Sequence, residues 1–195
     1  MNLEKILTYA KTLIKSCTNE GDYVIDATIG NGNDTLFLAK LVKNKGHVFG
    51  FDIQEKALYN TKSLLNKNNC NNVTLYKSSH EYITSKIPAK YHGKIASTIF
   101  NLGYLPRGDK LITTNKISTL KAVKSILSIL KTNGIIVLVV YLGHIEGKLE
   151  KEALIDYVKK LDQKKYQVLM YRFINQINDA PFIIAIEKIT KGDCR

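Results

Sequence analysis

Residues 26–35 read DATIGNGNDT and directly follow the apolar run Tyr23-Val24-Ile25. The apolar run predicts a short buried β-strand, and the stretch from Thr35 to Val42 has the pattern of a helix. Two glycines between a strand and a helix let the backbone approach a ligand closely, and the start of the helix offers free N–H groups. The stretch therefore predicts a ligand-binding turn at the end of the first strand of a sheet.

Strand-like and helix-like segments alternate along most of the chain. An amphipathic helix opens it within residues 1–18, because apolar residues recur at helical spacing between Leu3 and Ile14. Alternation of this kind is typical of parallel βαβ units with helices on both faces of the sheet. The predicted strands are 23–27, 48–51, 73–76, 95–100 and 135–141, and the predicted helices are 35–42, 54–68, 81–85, 118–130 and 150–161.

The last part of the chain breaks this alternation. Segments 166–173 and 182–187 are both strand-like, and the residues between them, INQINDAP, are too few for a helix. Parallel neighbours need a long crossover, so these two strands are predicted to pair antiparallel as a hairpin. This plan resembles Rossmann-like class I methyltransferases and not dinucleotide dehydrogenases. We expect one α/β domain over residues 1–195, with a seven-stranded, mostly parallel sheet, a C-terminal antiparallel hairpin and helices on both faces.

The net charge is strongly positive. The chain has 195 residues, 29 of them Lys or Arg against 17 Asp or Glu, which gives a net charge of +12. Such a surplus attracts phosphates and favours a nucleic-acid partner. A lysine-rich solvated surface without such a partner explains the same charge, so charge alone leaves both interpretations open.

Cysteine usage and hydropathy indicate the compartment. The three cysteines, Cys17, Cys70 and Cys194, are odd in number and far apart. This spacing argues against a disulfide framework or a zinc site and favours a reducing environment. The sequence contains no apolar run of membrane-spanning length, so we expect a cytoplasmic protein that does not enter a membrane.

The composition of the turn restricts its ligand. A dinucleotide fingerprint, GxGxxG, requires a third glycine where this chain has Thr35. The carboxylates of Asp26 and Asp34 would repel phosphates but suit a cofactor with a cationic end, such as S-adenosylmethionine. We expect the residues of the turn to surround this cofactor, namely Asp26, Thr28, Gly30, Gly32, Asp34 and Thr35.

A second cofactor anchor is predicted at Asp52, where the stretch HVFGFDIQ ends the second strand. A carboxylate in this position accepts hydrogen bonds from both ribose hydroxyls of a bound nucleoside. Ile53 and Gln54 would then lie beside the adenine. The alternative is that Asp52 only caps the helix that begins near Gln54.

The stretch KSSHEY, residues 77–82, supplies a third candidate contact. Ser79 and His80 follow the third strand, where class I methyltransferases contact the adenine. The letters Ser78-Ser79-His80-Glu81 also fit a helix capping box, S-x-x-E. We therefore expect Ser78 to cap the helix while Ser79 and His80 face the cofactor, with a purely structural role as the alternative.

The fourth strand is followed by FNLGYLPRGDK, residues 100–110. Methyltransferases that act on amines carry an Asn/Asp-Pro-Pro-Tyr loop here, and in this chain Leu102 and Gly103 replace both prolines. The side-chain oxygen of Asn101 and the Leu102 carbonyl would accept the hydrogens of an amine and aim its lone pair. Tyr104 would stack on a base. A turn around a buried aromatic residue is the alternative.

Taken together, these motifs resemble the MnmM/YtqB-type methyltransferases, which are also described as rRNA methylases. The matching stretches are DATIGNGNDT, FDIQ, SSH, NLGYLP, YLGH at 141–144 and the late NQIND-P, and they extend over essentially the whole chain. The resemblance implies an S-adenosylmethionine-dependent enzyme that acts on tRNA. Its implied substrate is the exocyclic amine of 5-aminomethyl-2-thiouridine at the wobble position, which becomes the 5-methylaminomethyl form.

The resemblance also implies residue roles by position. Asn31, Asn33, Asp52, Gln54, Ser79 and His80 would hold the cofactor, Asn101, Gly103 and Tyr104 would face the amine, and Tyr141 and His144 would shape the uridine pocket. His144 is also a candidate proton acceptor, with a structural role as the alternative. The chain departs from the family at Asn33, where the family often has His, and at Ala180-Pro181, where it usually has Pro-Pro.

The expected reaction is direct methyl transfer without a metal ion or a covalent enzyme intermediate. The expected partner is the anticodon stem-loop of a tRNA, and a homodimer is left open. The candidate phosphate contacts are Arg107, Lys110, Lys116 and Lys148, each of which would equally suit a solvated surface. Methylation of rRNA or of a DNA base, methylation of a small molecule, and a silent nucleic-acid-binding module are the alternative functions.

Overall fold

The alternating segments form a single twisted sheet flanked by helices in a computed structural model, which describes residues 2–103, 114–142, 145–177 and 180–189. Within these ranges the strands are β1 Tyr23–Asp26, β2 His47–Asp52, β3 Val73–Lys77, β4 Ile95–Asn101, β5 Leu130–Val140, β6 Tyr166–Tyr171 and β7 Phe182–Lys188. The α-helices are α1 Ile6–Cys17, α2 Asn33–Val42, α3 Glu55–Lys67, α4 Ile83–Lys86, α5 Lys116–Ile129 and α6 Ile145–Val158.

The sheet has seven strands in the order β3-β2-β1-β4-β5-β7-β6. Strands β1 to β5 run parallel, whereas β7 is antiparallel to both β5 and β6. The predicted fold class, with its C-terminal antiparallel hairpin, is confirmed. The strand order reverses between β1 and β4, and ligands of doubly wound sheets bind at the carboxyl ends of the strands beside such a reversal.

The parallel strands β1, β2, β4 and most of β5 are buried on both faces, whereas the edge strand β3 is only partly buried. Neighbouring residues of one strand point to opposite faces, so Val24 and Val48 pack with α1, α2 and α3 while Ile25 and Phe49 pack with α4, α5 and α6. This explains why β1 reads as a continuous apolar run and not as an alternating one. In the part of the chain that the structure describes, no helix has the length and hydropathy to cross a membrane.

Two element boundaries differ from the predicted ones for local reasons. Helix α5 begins at Lys116 because the side chain of Asn115 accepts hydrogen bonds from the N–H groups of Ile117 and Ser118, both at 3.1 Å. Strand β5 follows α5 directly at Leu130, well before the predicted start at 135. A register shift beside β4 and a positive φ of 58° at Asn133 accommodate the early residues.

Candidate active site

The turn between β1 and α2 is organised around Asp26. This side chain is only 1% exposed, and its carboxylate accepts hydrogen bonds from the Thr35 hydroxyl at 2.6 Å and the Thr28 N–H at 3.2 Å. Burial, together with the nearby carboxylate of Asp34, raises the pKa of Asp26 to about 7. Asp26 therefore ties both ends of the turn to the end of β1, and its cofactor contact stays a prediction.

Two glycines give the turn its shape. Gly30 and Gly32 have φ values of +55° and +80°, in the left-handed region that favours glycine. A Cβ atom at Gly32 would lie 2.5 Å from the Thr61 hydroxyl oxygen, so α3 packs directly against this backbone. Helix α2 begins at Asn33 with no side-chain cap, which leaves its first N–H groups to a ligand. Asn31 and Asn33 are exposed beside them.

Asp52 joins the turn to the second strand. Its carboxylate accepts the Gly30 N–H and the Gln54 N–H, both at 2.9 Å. Helix α3 begins at Glu55 with Gln54 in the cap position, so Asp52 is not the cap residue itself, although it accepts the N–H of that residue; its contact with the ribose stays a prediction. Ile53 is 52% exposed and presents an apolar surface beside this carboxylate. The Asp52 carboxylate therefore links the backbone of the turn after β1 to the backbone that follows β2.

The Ser78-Ser79-His80-Glu81 stretch differs from its prediction. Ser79, and not Ser78, caps the following 3-10 turn by accepting the Glu81 N–H at 3.4 Å. The His80 ring is 8% exposed and packs edge-on against Phe100. Burial lowers the pKa of His80 to about 4, so the ring is neutral near pH 7. Cofactor binding by Ser79 and His80 stays a prediction.

The structure brings Asn101, at the end of β4, against the turn. The Asn101 backbone N–H donates to the Thr28 hydroxyl at 2.7 Å, and its side-chain Nδ2 donates to Asp34 Oδ2 at 3.3 Å. Asp34 also forms an ion pair with Lys11 of α1, with 3.5 Å between Nζ and Oδ1. Residues 67 positions apart in sequence thus meet at one point, between the cofactor turn and the loop after β4.

Tyr141 lies on the same side of the site, directly after β5. It is partly buried, and burial followed by the charge of Asp34 raises the pKa of its hydroxyl. Gly103 and Thr114 exchange two hydrogen bonds, each 3.0 Å long. Tyr104 and His144 lie outside the described residues, and so do Arg107 and Lys110. Of the candidate phosphate contacts that are described, Lys116 and Lys148 are both exposed.

A buried glutamate that the sequence reasoning missed supports the loop after β4. Glu150 of α6 is 1% exposed and accepts hydrogen bonds from the hydroxyls of Thr114, at 2.9 Å, and Thr119, at 2.5 Å. Thr119 in turn lies 3.4 Å from Nε2 of His80. The available indication was spacing, because Glu150 precedes the buried Leu154 and Val158 by four and eight residues on one helix face.

This arrangement of turn, carboxylate and asparagine, on a sheet whose seventh strand is reversed, defines a Rossmann-like class I methyltransferase fold. Comparison with known proteins gives the family. The chain belongs to the family described as "Putative rRNA methylase", whose model matches residues 48–187. The resemblance to MnmM/YtqB-type methyltransferases that the sequence motifs indicated is confirmed.

Three relatives illustrate this membership. The chain is 35% identical over 184 residues to the "tRNA (mnm(5)s(2)U34)-methyltransferase, chloroplastic" of Arabidopsis thaliana; the match covers 89% of this chain and 66% of that protein, slightly less than two thirds of its length. A crystal structure with the same description as the family, from Clostridium thermocellum, is 43% identical, with a TM-score of 0.93 and coverage of 97% of this chain and 100% of the other. A "putative methyltransferase" from Streptococcus mutans in complex with SAH is 37% identical, with a TM-score of 0.87 and coverage of 96% and 99%.

Proposed function

We propose that the chain transfers a methyl group from S-adenosylmethionine to the exocyclic amine of 5-aminomethyl-2-thiouridine at the wobble position of tRNA. The product is 5-methylaminomethyl-2-thiouridine. The observation that carries the proposal is the position of Asn101 against the turn after β1: its backbone N–H donates to Thr28, and its side-chain amide, the proposed amine acceptor, donates to Asp34. The printed name of the Arabidopsis relative and the SAH complex of the Streptococcus relative support the substrate and the cofactor.

The residues of the turn fit S-adenosylmethionine chemically. The carboxyl groups of Asp26 and Asp52 lie at the turn and suit the sulfonium and ammonium charges, as they would not suit a pyrophosphate. Each carboxylate oxygen accepts more than one hydrogen bond, so Asp52 can hold the ribose hydroxyls while it binds Gly30 and Gln54. When bound, the cofactor supplies an electrophilic methyl carbon, whose bond to sulfur breaks as its bond to nitrogen forms.

The residues after β4 would orient the nucleophile. Asn101 Oδ1 and the Leu102 carbonyl accept two amine hydrogens, and the nitrogen lone pair then points away from both acceptors, towards the turn. Tyr104, Tyr141 and His144 would enclose the uridine, and Gly103 would let the backbone approach it. An ammonium has no lone pair, so an amine that binds protonated first releases one proton to solvent or to His144. Transfer to the neutral amine then gives a secondary ammonium, which leaves as such or after it loses a second proton.

The positive charge supports an RNA substrate. The net charge of +12 favours binding to the phosphates of an anticodon stem-loop, whose unstacked bases suit recognition by aromatic side chains. Lys116 and Lys148 are exposed and are proposed phosphate contacts. Cys17 and Cys70 are free thiols, which suits the reducing cytoplasm as the site of the reaction.

The family description favours rRNA as a second candidate substrate. Mass spectrometry of nucleosides from a strain that lacks the protein distinguishes the two. Our proposal predicts that 5-aminomethyl-2-thiouridine accumulates in tRNA, that its methylated form disappears, and that the purified protein with S-adenosylmethionine restores it. An unchanged tRNA nucleoside profile together with a missing methylated base in rRNA would refute the tRNA proposal.

A further inference from the structure

We propose that Asp34 binds the substrate's amine and makes the site selective for a protonated aliphatic amine. This inference rests on the proposed function and specifies the class of amine that the same site accepts. It changes the role of Asp34, for which the sequence favoured a cofactor contact. The supporting geometry is the meeting of Asp34, in the first turn of α2, with Asn101 at the end of β4 and Lys11 of α1.

The contact with Asp34 fixes the orientation of the Asn101 amide. A carboxylate accepts hydrogen bonds and has none to donate, so the atom that faces Asp34 must be Nδ2. The Asn101 Oδ1 atom is then directed to another donor. An amine that donates to Oδ1 lies next to the amide whose Nδ2 donates to Asp34, so the charge of the Asp34 carboxylate is close to the amine nitrogen. Asp34 therefore both orients Asn101 and attracts a cation to it.

The surroundings of Asp34 are suited to exchange one cation for another. Its side chain is 17% exposed, so a substrate can reach it. The charged and titratable groups around it are Lys11 from α1, Asp26 from β1 and Tyr141 after β5. The Lys11 ammonium also lies 5.1 Å from the centre of the Phe37 ring, so it has a second favourable contact that does not depend on Asp34.

Charge is what separates the candidate substrates at this position. An alkylamine has a reference pKa of about 10, like that of lysine, and is a cation near pH 7. The exocyclic amine of a nucleobase is conjugated and neutral under the same conditions. A carboxylate beside Asn101 therefore attracts a protonated alkylamine and contributes little to the binding of a neutral base amine. This favours the aminomethyl group over a base amine as the substrate.

The test compares binding of two anticodon stem-loop RNAs that differ only at the wobble base. One carries 5-aminomethyl-2-thiouridine, and the other carries 5-ethyl-2-thiouridine, which has nearly the same shape without the ammonium. Fluorescence anisotropy in the presence of SAH gives both Kd values for each protein variant. Their ratio does not depend on the folded fraction, because both RNAs meet the same active protein.

The wild type is expected to prefer the aminomethyl RNA by about 10- to 100-fold, the factor of one hydrogen bond to a charged group. D34N should lose most of this preference and keep its SAH affinity. The matched control is D22N, because Asp22 is similarly buried, 19% against 17% exposed, and ion-paired to Lys131 at the opposite end of β1. K11Q should increase the preference, since it removes the competing cation, and a general loss of folding would not have this effect.

The outcomes separate the inference from the proposed function. A D34N preference equal to that of D22N overturns the inference alone, and so does a D34N variant that loses SAH affinity while it keeps the RNA preference. Methyl transfer to the aminomethyl RNA is measured in parallel with wild-type protein. Absence of this transfer overturns the proposed function and the inference that rests on it.

Discussion

The carboxyl group of Asp26 should make stability fall as pH rises. Burial raises the pKa of Asp26 from 3.8 to about 7, so the folded protein holds a proton that the unfolded chain has already released. The stabilisation is fully present below the unfolded pKa and is lost as pH rises through the folded one. Each pKa unit corresponds to about 1.4 kcal/mol, so about 3 kcal/mol is lost between about pH 5 and pH 8.

The assay is urea unfolding of the wild type and D26N over this pH range. The amide that D26N introduces cannot ionise, so the stability of this variant relative to the wild type should rise by about 3 kcal/mol from pH 5 to pH 8. The amide of D26N can keep both partners, because its oxygen can accept the Thr28 N–H while its NH2 group donates to the Thr35 hydroxyl, so the substitution itself adds little that depends on pH. His80, whose pKa is lowered to about 4, titrates in both proteins and cancels in the difference.

A difference between the two proteins that stays flat across this range would refute the reasoning. It would mean that Asp26 is ionised throughout and that the turn carries a carboxylate stabilised by its hydrogen bonds, in spite of its burial. Equal urea m values for the two proteins are required, because only then does the difference report stability and not a change in the unfolded state.

Two further substitutions test the turn and its support. G32A should destabilise the fold by about 2–4 kcal/mol and weaken SAH binding, because its Cβ would meet Thr61 at 2.5 Å on a backbone with φ +80°. Urea unfolding measures the loss of stability, and calorimetry measures the SAH affinity. Wild-type values in both measurements would contradict this prediction. E150A should remove the carboxylate that accepts from the Thr114 and Thr119 hydroxyls, with a loss of about 2–5 kcal/mol in unfolding free energy and a lower kcat. A loss as small as that of a surface substitution, about 0.5 kcal/mol, would show that Glu150 supports nothing.

The topology was predictable because it depends on local patterns. Alternation of apolar strands and amphipathic helices predicts parallel units, and the short INQINDAP connection excludes a crossover before the last strand. The reversed β7 between β5 and β6 confirms that argument. The glycine spacing likewise predicted a turn after the first strand, and Gly30 and Gly32 there take positive φ angles that glycine adopts without strain.

The contacts of the site were less predictable because they join distant parts of the chain. Glu150 meets Thr114 across 36 positions, and Asn101 meets Asp34 across 67. No periodicity relates residues so far apart, and a glutamate in a helix is ordinarily assigned to the solvent face. The prediction that Ser78 is the cap was wrong for a local reason, since Ser78 has Glu81 three residues later, as the motif requires, but the backbone places Ser79 before the first residue of the 3-10 turn.

The central claim is that Asn101 orients an amine beside a cofactor bound at the turn. Its most direct test is single-turnover methyl transfer to the aminomethyl stem-loop by N101A, with the SAH Kd measured by calorimetry on the same protein. The matched control is N68A, because Asn68 presents its amide at the far end of α3. We predict that N101A slows transfer by at least about 100-fold while its SAH Kd stays near the wild-type value. Unchanged transfer, or an equal loss of transfer and SAH affinity, would contradict the account.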